Sequence, residues 1–127
     1  MLKRYFLGLL AMIGLAAKSQ GPDFSAVDSL AKAEELFREG KLEKLYLFPL
    51  DMGGDERPQN VVYVPVGIGQ FKAQLDGTVR KMVENGSVSQ YSASPEYKGK
   101  SFVPSRIVIR AWHPGKSGSF NPTIEVW

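Results

Sequence analysis

Between Ser105 and Trp127 the chain has few backbone arrangements open to it. It reads Arg106-Ile107-Val108-Ile109-Arg110-Ala111-Trp112, then a break rich in glycine, proline and serine, then Thr123-Ile124-Glu125-Val126-Trp127. Two β-prone runs separated by turn chemistry specify a hairpin. Alternation places Ile107, Ile109 and Ala111 on one face and Arg106, Val108, Arg110 and Trp112 on the other. The returning run alternates likewise, with Ile124 and Val126 against Thr123, Glu125 and Trp127. The aliphatic faces can bury together. Glu125 can stand across from an arginine, a cross-strand pairing of about 0.2–1 kcal/mol.

The start of the chain obeys different rules. Lys3 and Arg4 precede an apolar run from Tyr5 to Ala17, and its length of about 13 residues suits the h-region of an export signal. A bilayer-spanning helix needs about 20 apolar residues. Ala17-Lys18-Ser19 supplies small residues for cleavage after Ser19, so the expected organisation is a signal peptide over 1–19 and a single small domain over 20–127. The charge then reads differently. The whole chain carries +3, but the first 19 residues hold Lys3, Arg4 and Lys18 and no acid, leaving 13 basic against 13 acidic residues. A neutral domain without a Lys/Arg block is poor material for binding a phosphate backbone, so no nucleic-acid partner is expected. The chain has no cysteine, which excludes disulfides, thiol catalysis, thiolate metal sites and a lipidated anchor. The expected location is the periplasm or the extracellular space, with no membrane span after cleavage.

Within the domain, Ser25 and Asp28 read as the start of a helix whose apolar face is Val27, Leu30, Ala33 and Phe37, with Gly40 as its stop. The text from Ala31 to Leu42 resembles half of a tetratricopeptide-type unit. No second copy follows at a period of about 34 residues, so an ordinary amphipathic helix is the better reading. Leu42 to Leu50 is apolar on both faces and predicts a strand covered on both sides. Asp51 to Gln59 is a loop, and Asn60 to Val66 a strand whose Pro65 belongs near an edge or end. Ile68, Phe71, Leu75, Val79, Met82 and Val83 predict a second helix ended by Asn85-Gly86, with Lys72 among its outward residues. A polar strand over Ser87–Ala93, a turn through Ser94–Gly99 and the hairpin complete the order α-β-β-α-β-β-β. The fold class is α+β: a mostly antiparallel mixed sheet with two helices packed on one face. The connection through the second helix is the expected parallel crossover.

Chemistry has few candidates. Gly99-Lys100-Ser101 and Gly115-Lys116-Ser117 lack the upstream glycine of a P-loop and read as solvated turns. Gly67-Ile68-Gly69, at a helix start, could receive an anion. Asp51, Asp55 and Glu56 could offer oxygens to calcium, although their spacing is not that of an EF-hand loop and hydrated loop charges are the plainer reading. His113, the only histidine, could act as a general base with Asp51 or Asp55 if the loops converge; a turn histidine beside Pro114 is the plainer reading. No Gly-x-Ser-x-Gly elbow is present, and no cofactor is implied. What remains is surface suited to contact: Arg106, Arg110, Trp112, His113, Phe120 and Trp127, of the residue types that dominate protein interfaces. The tryptophans could equally pack a second small core. The expected function is therefore an exported, non-catalytic protein-binding module, such as an inhibitor or immunity-type protein of the cell envelope, with a protein partner there. The alternative is a small envelope hydrolase or lyase using His113 with an Asp51/Asp55 carboxylate.

Overall fold

The computed structural model describes residues 21–127; the stretch read as an export signal lies outside them. Helix α1 spans Leu30–Arg38 and is capped by Ser29, whose Oγ accepts the Lys32 N–H at 3.1 Å. The cap is not Ser25. Val27 is buried among Ala33, Leu42, Tyr63 and Val103, so the chain reaches that core through a turn before the helix can start. The turn is closed by Val27 N–H donating to the Phe24 carbonyl at 3.0 Å. Gly40 does end the helix, at φ +77°, a left-handed conformation that favours glycine.

Strands β1 (Leu42–Tyr46) and β2 (Val61–Pro65) form a two-stranded antiparallel ribbon with Leu45 opposite Val62 and Lys44 opposite Tyr63. Alternation sends Leu45, Val62 and Val64 into the main core and Leu42 and Tyr63 toward α1. The ribbon is thus covered on both faces, as the apolar run from Leu42 predicts, although the strand stops at Tyr46. Leu47 is still buried, whereas Phe48 and Leu50 emerge into solvent. The loop between the strands is tied by Asn60: its Oδ1 accepts the Phe48 N–H (2.8 Å), and its Nδ2 donates to the carbonyls of Phe48 (3.0 Å) and Asp55 (2.7 Å). Gly54 packs so tightly here that a Cβ would overlap the Phe48 carbonyl oxygen. Gly54→Ala should lower the urea-unfolding free energy by about 1–3 kcal/mol, the usual cost of overpacking. An unchanged unfolding midpoint would show that the loop opens freely.

Helix α2 runs from Ile68 to Glu84. Strands β3 (Gln90–Glu96), β4 (Arg106–Trp112), β5 (Ser119–Phe120) and β6 (Thr123–Glu125) make a second antiparallel sheet with β4 in its middle. The hairpin pairs as its alternation requires: Ile107 faces Ile124, and Arg106 faces Glu125 with its Nη2 3.4 Å from Glu125 Oε2. Ile107, Ile109 and Ala111 are fully buried. Both helices lie on their side of the sheet, α2 directly against it and α1 beyond the ribbon.

The class is α+β and the predicted element order holds, with β5 as a short addition. Two details of the expectation differ. The strands divide between two antiparallel sheets, so α2 joins one sheet to the other and makes no parallel crossover. Strand β3 runs on through Pro95 to Glu96 where a turn is expected; as an edge strand, bonded among the described residues only to β4, it tolerates a residue that cannot donate.

Candidate functional site

The sheet turns two unlike surfaces to its surroundings. On the inner side, α2 presents Lys72 and Asp76, both buried, beneath Tyr91 of β3. Lys72 Nζ donates to Asp76 Oδ2 at 2.7 Å and to the Tyr91 hydroxyl oxygen at 3.0 Å, and that hydroxyl donates to Asp76 Oδ1 at 2.8 Å. The charges are one helical turn apart, the spacing at which side chains meet. Burial pushes the Tyr91 phenol well above its ordinary 10.0, and the bond to Asp76 adds to the rise. Burial likewise lowers the Lys72 ammonium from 10.5, with Asp76 opposing the fall.

These two shifts have opposite signs in stability. Above about pH 10 the unfolded chain loses the Tyr91 proton before the folded one does, so this contribution is full below that pH and falls as pH rises. For Lys72 the folded state releases its proton first, so its contribution improves as pH rises toward 10.5. Tyr91→Phe should therefore flatten the alkaline fall in urea-unfolding stability, and the wild-type Tyr91 phenolate absorbance should appear only with unfolding. Titration of that phenol near pH 10 in the folded protein would contradict the buried network.

Next to this network Arg80 Nη2 donates to Asp51 Oδ1 at 3.2 Å. Its Nε sits 2.9 Å from Asp51 Oδ2, an ion-pair distance, yet is not aligned for a hydrogen bond and is the one buried side-chain donor among the described residues left without one. Asp51 and Arg80 line a cleft of about 440 Å3 with Phe48, Met52, Val83 and Tyr91.

On the outer side of the sheet, β4 presents Arg106, Val108, Arg110 and Trp112. The Arg110 guanidinium lies 4.4 Å from the centre of the Trp112 ring, a cation–π contact that holds both side chains in place. Their register neighbours on β3 are Ser92 and Gln90, and Ser119 of β5 faces Trp112. Arg106 is held between Glu96 and Glu125 at 3.7 and 3.4 Å. His113 follows Trp112 half-buried, its Nδ1 2.7 Å from the adjoining Pro114 carbonyl.

The other residues singled out from sequence lie elsewhere. Phe120 packs toward Val79, Val88 and Ala111. Trp127 joins the core around Val103, donating Nε1–H to the Val103 carbonyl at 3.0 Å and meeting Phe24 edge-on at 5.9 Å. Trp127 thus belongs to a second core and Trp112 to the open sheet face. Asp51 is engaged by Arg80, and Asp55 by Arg57 at 2.6 Å. Among the described residues no carboxylate forms an ion pair with His113, and no three His, Asp or Glu side chains gather as metal ligands, so Asp51, Asp55 and Glu56 are not brought together. The N–H groups of Gly67 and Gly69 are also occupied: both donate to Glu43 Oε2, at 3.1 and 2.6 Å. An internal carboxylate fills the place an external anion would take.

The sequence pattern places Lys72 among the outward residues of α2, whereas it is buried. On a helical wheel it lies only about 40° from Ile68 and about 20° from Val79, inside the apolar arc. An oppositely charged residue four positions on, at the edge of that arc, is the available signal. Comparison with protein-family models, curated proteins and solved structures found no match to this chain. Among the described residues no helix is long and apolar enough to cross a membrane.

Proposed function

We propose that the chain is an exported, non-catalytic protein-binding module that uses the outer face of its four-stranded sheet, in the manner of an inhibitor or immunity-type protein of the cell envelope. The observation that carries this reading is the Arg110–Trp112 stack, held at 4.4 Å on β4 beside the polar residues Gln90, Ser92 and Ser119. Arg and Trp anchors held in place before binding lose little side-chain freedom on association, and such residues dominate the energetics of interfaces. A catalytic role for His113 finds less support, because the aspartates that would orient it are committed to arginines. The proposed location, periplasmic or extracellular, rests on the basic-then-apolar start of the sequence. The test is affinity capture by the tagged mature protein from its own envelope fraction, with N-terminal sequencing of the native chain. One stoichiometric partner and an N-terminus near Gln20 support the reading. An intact Met1 in the cytosol, or glycan or peptide turnover that His113→Ala abolishes, would overturn it.

A further inference from the structure

We propose that the free edge of β3, with the cleft at its N-terminal end, docks an extended peptide segment of a partner protein that carries an apolar side chain and, two positions away on the same face, lysine or arginine. This rests on the reading of the chain as a protein-binding module and adds a second surface to it. Among the described residues, strand β3 pairs with β4 alone, and no other element makes a backbone hydrogen bond to its far edge. Ile109 and Ala111 on β4 are fully buried, while their register partners Ala93 and Tyr91 are only partly so. The edge is therefore reachable. Unpaired strand N–H and C=O groups are a template for another extended chain.

Which part of the edge is open follows from its sequence. Pro95 and Glu96, at the C-terminal end of β3, are residues that discourage pairing. Gln90 to Ala93 carry no such block, and there the cleft opens. Phe48 stacks on Tyr91 with ring centres 5.4 Å apart, and both Phe48 and Val83 are exposed, leaving an apolar recess beside the strand with room for a side chain. Its charge is negative: Asp51 is matched by Arg80, while Glu84 forms no ion pair among the described residues. A peptide that pairs here places one side chain in the recess, and a basic residue two positions away, on the same face, then meets Glu84.

The probe is a short fluorescent peptide with lysines two positions either side of one phenylalanine and valines between, titrated against the mature protein with amide shifts recorded by NMR. Binding should shift Gln90–Ala93 together with Phe48 and Val83. Methylating alternate peptide nitrogens, which removes the donors of one edge, should weaken binding at least about tenfold, as should Glu84→Lys at an exposed position. Absence of binding, equal affinity of the methylated peptide, or self-association of the protein through β3 would overturn the proposal. Shifts confined to Arg110 and Trp112 would overturn it too while leaving the outer-face reading intact. Failure of envelope capture would sink that reading instead.

Discussion

Asp76→Ala is expected to lower the unfolding free energy by about 3–5 kcal/mol, because it strands a buried ammonium. Lys72 is 1% exposed, and its Nζ has Asp76 Oδ2 at 2.7 Å as its only charged partner in the network. The neutral Tyr91 hydroxyl cannot compensate the charge, and the variant also removes that hydroxyl's nearer acceptor, leaving it the Leu47 carbonyl at 3.3 Å. The joint replacement Lys72→Met with Asp76→Leu should recover most of the loss, since apolar residues of similar volume often match or exceed a buried pair in stability. Urea unfolding of the three proteins checks both statements. A loss below about 1 kcal/mol for Asp76→Ala, the range of exposed pairs, would mean that water reaches Lys72.

Arg110→Ala combined with Trp112→Ala is expected to weaken binding of the captured partner by at least about 2 kcal/mol, some thirtyfold, with the unfolding midpoint nearly unchanged. The separation follows from where the side chains stand. Arg110 is exposed and Trp112 half-buried on the outer face, while the packing of β4 is carried by Ile107, Ile109 and Ala111 on the other. Removing the stack takes away the anchor and leaves the core whole. Titration calorimetry beside urea unfolding distinguishes this from a general loss of fold.

The hairpin was legible because alternation and β-branched residues agree over Arg106–Trp112, so register, buried face and the Arg106–Glu125 pair follow together. The ends of both helices were legible at Gly40 and at Asn85-Gly86, where the backbone turns left-handed at a glycine. Ser25 misled because the position of Val27 in a distant core, not local capping chemistry, decides where α1 begins. Pro95 misled because a proline breaks a central strand and not an edge, and edge position is a property of the whole sheet. The two tryptophans look alike in sequence; only the far end of the chain, folding back against Phe24 and Val103, separates Trp127 from Trp112. The cleft beside Tyr91 brings the Phe48–Met52 loop against the end of α2 and the start of β3, and no spacing in the sequence joins that loop to them.

Hydrogen–deuterium exchange on the complex with the captured partner tests the outer sheet face most directly. Protection should be greatest over Arg106–Trp112, extend to its neighbours on β3 and β5, and leave α1 as in the free protein. Protection centred on α1, or exchange over Arg106–Trp112 unchanged by the partner, would contradict it.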